Sequence, residues 1–127
     1  MSRAVVQAFF DRLGCLGDTD GWLQLLADDV VADTPYAPPG DPARYEGIDA
    51  VRRRFAEVRQ GFDHLEFFDI EILGTDDPHR YVATCKSEGR RHDGQLYSNT
   101  YVWFFRVVDD RVQWWAEYFD PQHLGGR

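Results

Sequence analysis

Glu117 stands in the segment Trp115-Ala-Glu-Tyr-Phe119, a carboxyl group set among large apolar side chains. A carboxyl group deprived of water holds its proton to higher pH, and one that titrates near neutrality can donate and accept protons. The competing role is an ion pair at a strand rim, with Arg106 or Arg80 as partner. Three other residues carry candidate proton chemistry. Asp33 and Tyr36 lie on either side of Pro35; the aspartate serves either as a base or as a turn cap, and the tyrosine as a cavity wall or lid contact. His64 follows Asp63, and such a pair can orient an imidazole, yet adjacent strand residues point to opposite faces. The alternative for His64 is a place at the surface or the cavity rim. His79, His92 and His123 fall at turns or the tail, and no two histidines have the H-x-x-x-H spacing of a metal site. There is no nucleophile elbow, phosphate-binding glycine loop or dinucleotide fingerprint. No cofactor is therefore expected, and covalent and nucleotide chemistry are disfavoured.

These side chains must be positioned by the elements around them. Residues 2–16 have helical spacing, with Val5, Val6, Phe9, Phe10 and Leu13 on one stripe, ended by Gly14 and Gly17. A second short helix, capped by Asp18 or Thr19, carries Trp22, Leu23, Leu25 and Leu26 and closes at Asp28-Asp29. Val30-Val31-Ala32 reads as extended, and the prolines between Thr34 and Glu46 mark a loop. Gly47 opens a third helix with Val51, Phe55 and Val58 inward; Arg52, Arg53, Arg54 and Arg59 form a largely solvated face. Beyond Gly61 every element reads as strand: Leu65–Leu73, Arg80–Arg91, Leu96–Val108 and Arg111–Phe119. Either Ser87 or Glu88 could face the pocket, but the neighbouring basic residues favour an exposed strand end for both, and Cys85 falls in an apolar, buried stretch.

A two-residue turn at Asp109-Asp110 pairs Val108 with Arg111 and sets Glu117 opposite Val102. Alternation then gathers Gln113, Trp115, Glu117 and Phe119 beside Thr100, Val102 and Phe104. Val102, Phe104, Trp115 and Phe119 are accordingly expected to line a ligand pocket around Glu117. Trp114, Ala116 and Tyr118 fall on the other face with Tyr101, Trp103 and Phe105. Nine of the 19 aromatic residues lie between Tyr97 and Phe119, so both faces are apolar. One face should meet the helices and pocket, the other a second subunit, which predicts a homodimer. The class is α+β: three N-terminal helices packed on a strongly curved antiparallel sheet, a cone with an internal pocket.

The chain has 127 residues and 14.7 kDa, fitting a single domain over 1–127. With 43% hydrophobic residues it has the means to build a core. A formal charge of −8 argues against nucleic acid as a partner. No apolar run reaches the ~18–20 residues of a membrane helix, and the first residues lack a signal-peptide apolar segment, so the expected location is cytoplasmic. Cys15 and Cys85 form neither a disulfide framework nor a redox pair. The expected partner is a hydrophobic small molecule.

Leu26-Ala-Asp-Asp-Val-Val, the proline loop ending in Tyr45-Glu46-Gly47, and Phe105-Arg-Val-Val-Asp-Asp-Arg-Val followed by Trp115–Pro121 resemble the nuclear transport factor 2-like superfamily, in its SnoaL-like and ketosteroid-isomerase-like branch. Asp77-Pro78-His79-Arg80-Tyr81, Tyr97-Ser98-Asn99 and Ala116–Pro121 are most similar to the phenazine-biosynthesis A/B proteins. The resemblance implies a small homodimer with a hydrophobic pocket in each subunit and no metal or organic cofactor. Members include isomerases, cyclases, epoxide hydrolases, dehydratases and non-catalytic binding domains, so the fold alone does not choose a function. The positions that carry proton chemistry in ketosteroid isomerases align with Phe10, Thr34 and Trp103, none of which can perform it. The glutamate used by the phenazine proteins maps onto Glu117. The expectation is a small acid–base enzyme acting on a flat, apolar metabolite, with Glu117 as proton shuttle. The alternative is a binding or assembly module of the same fold. Epoxide hydrolysis would require an Asp–Arg–Asp arrangement that cannot be assembled here.

Overall fold

The computed structural model describes residues 2–13 and 19–121. Gly14, Cys15, Gly17, Asp18 and His123, to which the sequence assigns helix ends, a free thiol, a cap and a tail histidine, lie outside the described residues. The elements are α1 (Ser2–Leu13), α2 (Thr19–Leu23), β1 (Leu26–Asp33), β2 (Arg44–Glu46), α3 (Ile48–Gly61), β3 (Phe62–Gly74), β4 (Arg80–Arg91), β5 (Leu96–Val108) and β6 (Arg111–Tyr118). The six strands form one curved, unclosed sheet in the order β2-β1-β6-β5-β4-β3. β3 to β6 make the expected antiparallel meander, while β1 runs parallel to β6 and renders the sheet mixed.

Two boundaries differ from the sequence reading. The second helix ends at Leu23, not at Asp28-Asp29, so that Leu26 opens β1 instead of lying in α2, and the backbone N–H of Val112 donates to the Leu25 carbonyl at 2.7 Å. A five-residue helix is too short to hold itself together, so pairing with β6 claims Leu26. The proline loop ends in a short strand, β2, that pairs Ala32 with Tyr45 and Asp33 with Arg44. Gly47 follows at φ 89°, a left-handed conformation that lets the chain turn directly into α3.

The core sits between the helices and the concave face of the sheet. Val6, Phe9, Phe10 and Leu13 follow helical spacing and are all buried. Phe9 lies within 5.1–5.8 Å, centroid to centroid, of Phe10, Trp22, Trp103, Phe105 and Trp115. Trp22 stacks on Phe55 at 4.5 Å, tying α2 to α3. On β5, Tyr97, Asn99, Tyr101, Trp103, Phe105 and Val107 are buried while the alternate residues from Leu96 to Phe104 are exposed. Cys85, buried on β4 as expected, accepts a hydrogen bond from Trp103 Nε1 at 3.2 Å. Burial pushes its thiol up to about 12, so it stays protonated and inert.

The β3–β4 ladder slips at Phe62/His64, which draws the two backbones together opposite Gly89. A Cβ on Gly89 would collide with the His64 carbonyl oxygen and approach Leu65 Cα to 3.0 Å. Gly89→Ala is expected to destabilise the fold by about 1–3 kcal/mol, as overpacking against fixed backbone does. Urea denaturation with an unchanged midpoint would show that the ladder gives way freely.

Candidate functional site

A cavity of about 490 Å³ opens between the concave sheet and α1, α2 and α3, within the size range of small-molecule sites. Its walls include Phe9, Trp22, Phe55, Trp103, Trp115 and Phe119, with Tyr97, Tyr101 and Glu117 among the polar contributors. The sheet supplies Glu117 through a local irregularity. The Asp109-Asp110 turn, with both residues at positive φ (54° and 59°), pairs Val108 with Arg111 as expected for a two-residue hairpin. The ladder then shifts: Val107 pairs with Val112 but Arg106 pairs with Trp114. Gln113 is thus an extra residue on β6, a β-bulge, and its Oε1 accepts from Arg106 Nε at 3.1 Å.

The bulge reverses the cross-strand parity, which corrects part of the expected pocket. Glu117 pairs with Trp103 and Tyr118 with Val102. Trp115, Glu117 and Phe119 do line the cavity, but their β5 neighbours there are Tyr101 and Trp103. Val102 and Phe104, expected as pocket walls, are on the convex face and remain 38% and 37% exposed. Trp114 and Tyr118 share that convex face with them, not with Tyr101, Trp103 and Phe105; Phe104 and Tyr118 meet edge to face at 5.8 Å.

Glu117 is enclosed by protein on every side except the cavity it faces. Burial pushes its carboxyl up to about 7, opposed by a 3.3 Å hydrogen bond from Trp115 Nε1 and by the positive charge of Arg54. Desolvation wins because one long hydrogen bond and one cation at the mouth replace a full hydration shell. The rim ion pair with Arg106 or Arg80 does not form: Arg106 reaches Gln113, and Arg80 lies over the Trp114 ring at 5.6 Å.

The remaining candidates lie elsewhere. Asp33 is outside the cavity, held by Arg44 Nε at 2.7 Å and Nη2 at 3.0 Å and by Trp114 Nε1 at 2.9 Å. The Arg44 hydrogen bonds, against a smaller opposing effect of burial, hold its carboxyl below the usual range. It is an anchor for β2, not a base. His64 is half exposed, points away from the cavity and faces Glu66 at 3.7 Å. Its neighbour Asp63 pairs instead with His92, as opposite-facing strand residues require. Tyr36 is 56% exposed and packs edge-on against Tyr118 at 5.5 Å, so it forms no cavity wall.

Four polar side chains not assigned to the site from sequence are brought together at its β4–β5 end. Ser87 is buried, not at an exposed strand end, and its Oγ is 2.9 Å from Tyr101 Oη. Tyr101 Oη lies 3.3 Å from Tyr97 Oη, which accepts from Asn99 Nδ2 at 3.0 Å. Burial raises the pKa of both tyrosines, which keeps them protonated. The available sequence signal was the alternation Tyr97, Asn99, Tyr101 on one face of a long strand. At the mouth, Arg54 leaves the solvated arginine face to lie over the Tyr45 ring at 5.6 Å, and Arg91 covers the Tyr97 ring at 5.5 Å. Among the described residues, no three His, Cys, Asp or Glu side chains converge to hold a metal ion, and no helix is long and apolar enough to cross a membrane.

A family profile described as a SnoaL-like domain matches residues 6–115. The chain is 29% identical over 112 residues to an uncharacterised PhzA/B-like protein of Pseudomonas aeruginosa, covering 85% of this chain and 77% of that protein. Its fold is similar to the crystal structure of a phenazine biosynthesis-related protein from Pseudomonas aeruginosa, with TM-score 0.84 and 19% identity over 96% of this chain and 80% of that one. It is also similar to a Xanthomonas campestris protein named for a polyketide cyclase, with TM-score 0.83 and 25% identity over 95% and 91% of the two chains.

Proposed function

Because this chain belongs to the SnoaL-like domain family, we propose that it is a small, cofactor-independent acid–base enzyme acting in the cytoplasm on a flat, apolar metabolite. The observation that carries this reading is the carboxyl group of Glu117, enclosed in an aromatic cavity of about 490 Å³ and pushed up to about 7. Isomerisation, cyclisation, dehydration and condensation share one elementary demand: a proton leaves one substrate atom and returns at another. A carboxyl group titrating near neutrality serves both halves, as carboxylate for removal and as acid for return. Aromatic walls at this spacing suit a planar ring system, and the relatives named for phenazine biosynthesis and a polyketide cyclase fit such a substrate class.

A second reading, a binding or assembly module, is favoured by the placement of His64 and Asp33 outside the cavity. It leaves Glu117 without the proton partners first expected. Measuring ligand affinity and product formation separately, on a panel of planar polyketide and phenazine precursors, separates the two. The enzyme reading expects product from wild type and unimpaired binding without product from Glu117→Gln. Tight binding by wild type with no product from any bound compound supports the module.

The assembly is proposed to be a homodimer through the convex face of the sheet. Val102, Phe104, Leu73 and Phe68 are exposed there, beside the half-buried Trp114 and Tyr118. Burying such a patch against its two-fold copy removes apolar surface from water at about 25 cal/mol per Å². Phe104→Glu is expected to convert a species of twice 14.7 kDa into a monomer in sedimentation equilibrium. A wild-type protein that is monomeric at micromolar concentration contradicts the dimer.

A further inference from the structure

β6 ends at Tyr118, paired with Val102, yet Phe119 beyond it still forms part of the cavity wall. Counting on from that last pair, Phe119 falls opposite Tyr101 and Asp120 opposite Thr100. The rings of Tyr101 and Phe119 do meet, at 6.0 Å. Thr100 and Asp120 are not paired, because the side chain of Asn99 is spliced between them. Asn99 Oδ1 accepts from the backbone N–H groups of both, at 2.9 and 3.0 Å, which fixes the amide with Nδ2 as donor. Nδ2 donates to the Asp120 carbonyl and to Tyr97 Oη, each at 3.0 Å. One buried amide thus serves both backbone groups of Asp120, as a ladder partner would. Pro121 follows and brings no N–H with which the pairing could continue.

We propose that Asn99 is a positioning residue: by clamping Asp120 it holds the Phe119 ring in the cavity wall next to Glu117 and so keeps water from the carboxyl group. This rests on Glu117 as the proton-carrying group and adds the residue that keeps it dry. Glu117 and Phe119 are two residues apart on one face of the chain, so freeing the backbone at Asp120 removes the aromatic cover nearest to the carboxyl group in sequence. Asn99 itself is not part of the cavity wall. The charged groups around Glu117 are Asp41 of the proline loop, Arg54 and Glu57 of α3, and Arg91 of β4. Arg54 is engaged with Asp41 at 3.9 Å and Glu57 at 3.5 Å. Tyr45 of β2, Cys85 of β4, and Tyr97 and Tyr101 of β5 are held protonated, chiefly by burial, while α1 and α2 present the apolar Phe9 and Trp22. Of all these, Tyr97 is the one that Asn99 bonds. Loss of the clamp therefore acts on Glu117 through hydration. Water favours the ionised carboxylate, so the proton leaves at lower pH.

The test is a carbon-13 titration of the Glu117 side-chain carboxyl in wild type, Asn99→Ala, Phe119→Ala and the double variant. Each single variant should lower the midpoint by about one pH unit or more, toward the ~4.3 of a solvated glutamate. The double variant should fall no further than Phe119→Ala alone, because Asn99 acts through that ring. A double variant whose shift is the sum of the two means that Asn99 reaches Glu117 by another route, and overturns the proposal. So does a midpoint that stays at the wild-type value in either single variant: the strands then close without the amide, or the ring excludes no water. Those results leave Glu117 as shuttle untouched, whereas a wild-type midpoint already near ~4.3 overturns the shuttle and the positioning role together. Because Asn99→Ala disturbs a buried network, amide hydrogen exchange in wild type gives a second measurement that needs no variant. The Asp120 N–H should be protected like the neighbouring β5–β6 ladder. Exchange at the rate of an unstructured peptide would show that the clamp does not hold.

Discussion

Glu117→Gln is expected to lower turnover about 10²–10⁴-fold, the range for removal of a general acid–base group, while making the folded protein more stable at pH 8. The two effects have one cause. The Glu117 carboxyl titrates near 4.5 when solvated and near 7 when enclosed. Between those values the folded chain binds more protons than the unfolded chain, so stability falls as pH rises through this window. The stability is fully present below about pH 4.5 and lost by pH 7 and above. Glutamine fills nearly the same volume and still accepts from Trp115 Nε1, but it never ionises. The variant should therefore lack the pH 4.5–7 slope in urea denaturation and exceed wild type at pH 8 by on the order of 2 kcal/mol. Loss of turnover together with loss of stability at pH 8 would mean that Glu117 holds the fold together, contrary to the role given to it here.

Phe9→Ala should be the most destabilising of the core substitutions, by about 3–5 kcal/mol. Phe9 is fully buried, and its ring meets five aromatic neighbours drawn from α1, α2, β5 and β6. Each edge-on contact adds to the area term, and the surrounding rings are too rigid to collapse into the space left behind. Against a typical total of about 5–15 kcal/mol, such a loss brings the domain close to its limit. A thermal midpoint within a few degrees of wild type would show that the cavity above Phe9 already relaxes easily. Phe9→Leu, which leaves a smaller void, should fall between the two.

Glu117 was legible because its face is set by its own strand. Trp115, Glu117 and Phe119 share parity, and their order survives any shift against β5. Val102 and Phe104 were assigned by counting across the hairpin, and one extra residue at Gln113 sends them to the opposite face. Nothing in Arg111-Val-Gln-Trp114 marks that residue as a bulge before the ladder is seen. Beside Pro35 the sequence offers Asp33 as base or turn cap and Tyr36 as cavity wall or lid contact, but the pairing of Asp33 with Arg44 on a three-residue strand and the packing of Tyr36 on Tyr118 carry them to the convex side. Strand pairing between residues distant in sequence, such as Leu26 with Val112, likewise decided the end of α2 against local helical pattern. Tyr97, Asn99 and Tyr101 were visible as an alternating run, yet the partner that makes them a chain, Ser87, comes from the neighbouring strand. The class, the helix stripe on α1 and the meander from β3 to β6 were readable because each rests on periodicity within one element.

The central claim is that Glu117 is a carboxyl group whose proton is exchangeable near neutral pH, inside the cavity. The direct measurement is a carbon-13 NMR titration of protein labelled at glutamate side-chain carboxyls, with the Glu117 signal assigned by its disappearance in Glu117→Gln. A midpoint near 7 is the result expected from its enclosure. A midpoint near ~4.3, the value of a solvated glutamate, would contradict it and remove Glu117 as the proton shuttle.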